Sequence, residues 1–262
     1  MTLEVRNLSI ALGGVRVVDG VSFDVPAGRT LGIVGESGAG KSLTSMAIPG
    51  LLDKSEAAVS GSIRLLGQEI VALDAASLLR IRGKQVGVVF QEPRQSFNPA
   101  FSVGEQIAET LRWHESLGRR AARERALELL RMVGIERAEQ RIDDYPHEFS
   151  GGMLQRGMIA MAIACRPALL IADEPTSALD VTVQAQILNL LKEIQASLGM
   201  AMLFVSHDMG TVAQVCDEVA VMREGLVVEY GPASEVLVRP QHPYTQALVA
   251  AAPGRGFAFA NH

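Results

Sequence analysis

The run Gly35-Glu36-Ser37-Gly38-Ala39-Gly40-Lys41-Ser42 fits the pattern GxxxxGK[ST], directly after the apolar segment Thr30-Leu31-Gly32-Ile33-Val34 and before a helix-permissive stretch. A strand, a glycine-rich turn and a helix start in that order make a phosphate-binding loop. The glycines let successive backbone N–H groups converge on a β-phosphate, Lys41 can reach the β and γ oxygens, and the Ser42 hydroxyl can hold Mg²⁺. Leu43, the next residue, is grouped with the loop as a nucleotide contact. The ligand this predicts is a nucleoside triphosphate. A Gly/Ser turn that merely joins strand to helix would explain the loop by itself, but not the residues that follow.

A chain of 262 residues can bury a substantial core. Its residues are 48% apolar, yet the longest unbroken apolar stretch, Met158 to Cys165, stops at Arg166 and Pro167. A spanning helix needs about 20 such residues, so no membrane crossing is expected. The start, Met1-Thr2-Leu3-Glu4-Val5-Arg6, lacks the basic-then-apolar order of a secretory signal, which makes the cytoplasm the default location. Cys165 and Cys216 lie far apart without CxxC spacing and are expected to be buried hydrophobes. A net charge of −5 argues against a general nucleic-acid-binding face.

Strand signals recur at 5–10, 21–25, 30–34, 63–66, 86–90, 169–172, 202–205, 219–222 and 227–230. Short turns join the early ones and helical stretches the later ones, which predicts an α/β fold with a mostly parallel core sheet and an antiparallel β edge. Between Glu92 and Arg166 the strand signal disappears. There Ala122, Ala126, Leu129, Leu130 and Val133 form one helical stripe, so 92–166 is expected to be an inserted helical subdomain. Arg119, Arg120, Arg123 and Arg125 interleave with Glu124 and Glu128, the pattern of a solvated, salt-bridged face.

Two further features belong with the loop. The apolar run Ala168-Leu169-Leu170-Ile171-Ala172 ends in Asp173-Glu174, where Asp173 can join the Mg²⁺ shell and Glu174 can polarise water for attack on a γ-phosphate. Phe149-Ser150-Gly151-Gly152-Met153-Leu154 opens a helix-prone stretch with a hydroxyl and bare amides, a second phosphate cradle. One triphosphate does not need both from the same subunit. A head-to-tail pair, in which Ser150 of one protomer closes over the γ-phosphate held by Lys41 of the other, is the economical solution.

With the Gln91 loop after Val88-Val89-Phe90, the Ser177-Ala178-Leu179-Asp180 loop and His207 added in order, the chain resembles the ATP-binding cassette (ABC) family across nearly all of 1–262. The resemblance implies an ABC-type P-loop NTPase that hydrolyses ATP with Mg²⁺. It implies Gln91 touching the metal and the attacking water, His207 contacting the γ-phosphate, and Asp180, Ser150, Gly151, Gly152 and Met153 acting across the dimer. The aromatic residue on which the family usually stacks adenine corresponds to Leu12, which has no ring face.

Tyr145-Pro146-His147-Glu148-Phe149, the stretch Asn98 to Gln106 and the tail His242-Pro243-Tyr244-Thr245 resemble the peptide/nickel importer branch, with 235–262 as the branch's tail. That resemblance implies a peripheral protein on the cytoplasmic face of the inner membrane. Its partners would be two permease subunits, a second and non-identical ABC ATPase, and an external substrate-binding protein. Phe101 and Val103 are expected on the surface that receives a permease helix, with Gln91 as the hinge. No iron–sulfur cluster is expected, because no cysteine follows Cys216. The cargo is split between peptides and nickel, and an accessory role in a carbon–phosphorus lyase system is the alternative.

Overall fold

The computed structural model describes residues 1–177 and 179–251. They form two compact units, one of Met1–Leu78 with the described residues from Gln195 on, the other of Leu79–Ile194. The strands, in chain order, are β1 (Leu3–Leu12), β2 (Val15–Val25), β3 (Thr30–Val34), β4 (Ala57–Leu65), β5 (Gln68–Glu69), β6 (Val86–Val89), β7 (Leu169–Asp173), β8 (Ala201–Ser206), β9 (Glu218–Arg223) and β10 (Leu226–Pro232).

The first unit holds an antiparallel sheet in the order β2-β1-β4-β5. Its inward face in β1 is Leu3 and Val5, then Leu8 and Ile10, all fully buried. A strand alternates strictly, so a shift from odd to even positions needs one extra residue. Asn7 supplies it. Its φ of 50° breaks the ladder there, and Gly61 opposite, at φ 97°, has no room for a side chain because a Cβ would lie 2.4 Å from the Asn7 carbonyl oxygen.

In the same unit β3 runs parallel to both β8 and β9, while β10 pairs antiparallel with β9. Every residue of β3 and of β8 is buried, the continuous apolar pattern of a parallel strand covered on both faces. The mostly parallel sheet with antiparallel strands predicted from the sequence is therefore present. Most strands exceed their sequence signal at the ends: β4 begins at Ala57, not at 63, because small and polar residues there show no period until β1 pairs with them.

In the second unit β6 and β7 pair in parallel. Between them lie helices Pro93–Ser96, Val103–Glu115, Arg119–Met132, Ala138–Arg141 and Gly151–Ala162, with a 3-10 turn at Pro146–Glu148. The stripe read from the sequence is the buried face of Arg119–Met132, where Ala122, Ala126, Leu129 and Leu130 are at most 1% exposed and Val133 beyond its end is fully buried. Burying each leucine contributes about 1.5–3 kcal/mol. The opposite face carries the exposed pairs Arg120–Glu124, Arg125–Glu128 and Arg123–Asp143, which contribute little to stability. Both cysteines are buried, as expected.

Candidate functional site

In the first unit the phosphate loop is shaped by its backbone. β3 gives way to Gly35, whose φ is 155° and where a Cβ would fall 2.2 Å from the Met222 carbonyl oxygen. Gly38 and Gly40 follow at φ 83° and 96°, and a Cβ on Gly40 would meet Val18 at 3.0 Å. Left-handed glycines separated by single residues turn neighbouring amides toward a common centre. Gly40 then caps helix Lys41–Ala47 with no side-chain hydrogen bond to its first turn. Such a helix start suits an anion.

Lys41 is only 6% exposed, and its ammonium donates to the Gly35 and Glu36 carbonyl oxygens, at 2.9 Å each. Those bonds offset the cost of taking a charge out of water and hold the ammonium over the loop. Ser42 is exposed and Leu43 half-buried at the same helix start. Thr44 fixes the turn by donating its hydroxyl to the Gly40 carbonyl at 2.9 Å.

His207 follows β8 directly and is exposed. Its backbone is held on both sides: the Asp208 N–H donates to the Ser206 hydroxyl at 3.0 Å, and Asp208 caps helix Met209–Val215 by accepting from the Gly210 N–H at 2.8 Å. Leu12, half-buried, ends β1 opposite Val15 and Ala57. Burial raises the Cys216 thiol well above its ordinary pKa, which makes it inert.

In the second unit β7 carries the acids to its end. Asp173 is buried at 6% exposure, and Glu174 turns the chain at φ 46°. Ser150 caps helix Gly151–Ala162 by accepting from the Met153 N–H at 3.3 Å. Asp180 caps helix Val181–Leu198 in the same way, accepting from the Thr182 and Val183 N–H groups at 3.1 and 3.0 Å. The two caps are neighbours, since a Cβ on Gly152 would come within 2.9 Å of the Val183 side chain. Ala178, quoted in the Asp180 loop, lies outside the described residues, as do 252–262 of the expected tail.

Gln91, exposed after β6, shares a cavity with Arg94, Gly151, Gln155, Ser177 and Leu179. Gln155 is 1% exposed, and among the described residues its amide nitrogen has no hydrogen-bond partner. A second cavity gathers Arg137, Arg141 and Arg156 around Ser150, Gly152 and Met153. The unit therefore brings Gln91, the Ser150 turn and the Asp180 cap together.

One expectation fails. Phe101 is 50% exposed, but Val103 is fully buried and cannot face a partner. Ser102 caps helix Val103–Glu115, accepting from the Glu105 N–H at 3.3 Å, so Val103 begins the helix and its N–H donates to the Asp144 carbonyl. Sequence reasoning also missed how the neighbouring turn is built. Gln106, 8% exposed, accepts from the Asn98 N–H at 2.8 Å and donates to the Asn98 and Phe101 carbonyls at 3.0 Å each. The S-x-x-E pattern at Ser102–Glu105 was the signal for the helix start.

Among the described residues no three His, Cys, Asp or Glu side chains are arranged to hold a metal by themselves. No helix among them is long and apolar enough to cross a membrane.

A family model described as ABC transporter matches residues 18–177. The oligopeptide transport ATP-binding protein OppD of Bacillus subtilis (strain 168) is 48% identical over 256 residues, covering 96% of this chain and 72% of that protein. The dipeptide transport ATP-binding protein DppD of Haemophilus influenzae is 47% identical over 255 residues, 96% of this chain and 77% of that one. Among solved structures, the dimeric ATP-binding cassette MJ0796 in a post-hydrolysis state with ADP and Pi superposes with a TM-score of 0.78 at 26% identity, over 88% of this chain and 98% of that one. CbiO1 of Clostridium perfringens, part of an ABC transporter complex, gives 0.79 at 29%, over 91% of each chain.

Proposed function

The chain belongs to the ABC transporter family, and on that premise we propose that it is the ATP-hydrolysing subunit of a peptide importer. The observation that carries the hydrolase half is the phosphate loop: three glycines at positive φ, one of them, Gly35, where a Cβ would collide with backbone, and a buried lysine folded over the turn. The peptide half is supported by relatives at 47–48% identity that are named for oligopeptide and dipeptide transport. Nickel and a carbon–phosphorus lyase complex have no comparable support among those relatives, so peptide is the cargo proposed.

In this reading Gly35 to Ser42 and Leu43 bind the ATP phosphates, and Leu12 lies against the adenine. Lys41 neutralises charge on the β and γ oxygens as the bond to the leaving group loosens. Glu174 polarises the attacking water, Gln91 orients it, and His207 donates to the γ-phosphate. Ser42, Gln91 and Asp173 would hold Mg²⁺, which supplies further charge neutralisation on the phosphates. Ser150, Gly151, Gly152, Met153 and Asp180 act on the ATP of a second, non-identical cassette in a head-to-tail dimer. The caps at Ser150 and Asp180 support that role by presenting a helix end at which, among the described residues, nothing lies within 4 Å of where a Cβ on Gly151 would sit.

The same reading makes 92–166 the inserted signature subdomain and 235–262 the branch's tail. It sets the chain on the cytoplasmic face of the inner membrane, attached to two permeases that an external binding protein supplies with peptide, and gives it no nucleic-acid partner. Phe101 and the turn that Gln106 braces are the proposed permease contact. Mild solubilisation of tagged protein, followed by mass identification of what co-purifies, tests the assignment. Two multi-spanning permeases are expected, and a soluble lyase core in their place would overturn it.

A further inference from the structure

Building on the reading of the Lys41 loop as an ATP site, we propose that Tyr244 is a positioning residue for that loop, so that the chain's tail helps set the geometry of nucleotide binding. The contact lies within the first unit and links residues 208 positions apart: the Glu36 N–H donates to the Tyr244 hydroxyl at 3.0 Å. Glu36 is thereby gripped on both sides of its backbone, because its carbonyl oxygen accepts from the Lys41 ammonium at 2.9 Å. When Lys41 turns to phosphate oxygens, the Glu36 carbonyl keeps the bond it accepts from the Ala39 N–H at 3.2 Å, and the bond to Tyr244 holds the other side of the residue.

The tyrosine is itself held rigidly. It is only 8% exposed, and the Arg223 guanidinium lies over its ring, 5.1 Å from the centroid. Arg223 follows Met222, whose carbonyl oxygen abuts Gly35, so the end of β9 touches the loop and the tail at once. Upstream, the Glu229 carboxylate accepts the Gln241 and His242 N–H groups at 2.8 and 3.1 Å. Burial works against the charge of Glu229, but the hydrogen bonds it accepts outweigh that and hold its pKa below the ordinary value. His242 Nδ1 in turn accepts from the Tyr244 N–H at 3.2 Å, where helix Pro243–Ala251 begins. A prebuilt turn thus delivers one hydroxyl to one amide of a glycine-rich loop whose ordering would otherwise weigh against ligand binding.

Were Tyr244 only a packing residue for the tail, its ring would suffice and phenylalanine would replace it without consequence. Tyr244→Phe in the full chain separates the two. Amide exchange by NMR at Glu36, with Ile33 and Val34 of β3 as internal references, is measured beside the ATP dissociation constant of wild type, Y244F and Lys41→Ala. Loss of one hydrogen bond predicts exchange at Glu36 and the ATP dissociation constant each rising about 2- to 12-fold in Y244F, with β3 unchanged. Unchanged exchange and affinity, or equal acceleration at Glu36 and β3, would overturn the proposal. If wild-type protein binds ATP no better than Lys41→Ala, the functional reading fails instead, and the exchange at Glu36 still decides the role of Tyr244.

Discussion

The chain carries two glycine-rich turns that each open a helix beside a serine, and they are built on opposite principles. At the phosphate loop Gly35, Gly38 and Gly40 all have positive φ, and no side chain caps the helix. At the Ser150 turn neither Gly151 nor Gly152 has positive φ, and the serine itself is the cap. The first turn needs glycine for its backbone shape and is closed around its own lysine. The second has ordinary backbone and one open position: among the described residues nothing lies within 4 Å of a Cβ on Gly151, while a Cβ on Gly152 would meet the Val183 side chain at 2.9 Å. A self-contained cradle and an open helix end are the complementary halves that the proposed head-to-tail dimer would join.

Adding the same methyl group to both turns should separate them most widely. Gly35→Ala puts a Cβ 2.2 Å from a backbone oxygen and should abolish ATP binding in calorimetry. Gly151→Ala meets no such obstacle and should leave ATP binding by the isolated chain intact, while slowing phosphate release in the assembled complex. Equal ATP affinity in the two variants would erase the distinction.

Next in size is Glu174→Gln, which keeps shape but cannot serve as a base. Hydrolysis should fall about 10²- to 10⁴-fold with ATP binding retained, and closed dimer should accumulate on gel filtration with ATP. If turnover stays normal, the base is another group.

The Phe101 turn offers a third contrast, between a brace and the surface it supports. Gln106→Ala removes a buried side chain bonded to Asn98 and Phe101 and should cost about 1–3 kcal/mol of stability. Phe101→Ala should cost little stability yet weaken permease co-purification. Both should leave ATP affinity unchanged, and a loss of ATP affinity in well-folded Phe101→Ala would remove the turn from the proposed interface.

Smallest of all is Leu12→Tyr. A ring at that strand end should tighten ATP binding by about 0.5–1.5 kcal/mol if it stacks on adenine. Unchanged affinity would mean that another residue already holds the base.

What the sequence made legible was local. The phosphate loop could be read because glycine spacing, lysine and strand sit within one short run, and the helix stripe from Ala122 to Val133 could be read from its period. Val103 was misread because its apolar side chain sits beside Phe101 in sequence, while the cap at Ser102 turns it into the core. The switch of face at Asn7 and the start of β4 at Ala57 depend on cross-strand pairing that no single segment encodes. The hydrogen bond from Glu36 to Tyr244 joins opposite ends of the chain, and only the folded structure brings it to view.

Lys41 is the proposed cation that makes this chain an ATPase, and phosphate release from ATP tests that role most directly. Tagged wild type and Lys41→Ala would each be purified with whatever membrane subunits accompany them and assayed at the same complex concentration. The Lys41→Ala complex should assemble as wild type does but hydrolyse ATP at least about 10²-fold more slowly. Wild-type turnover by an intact Lys41→Ala complex would contradict it.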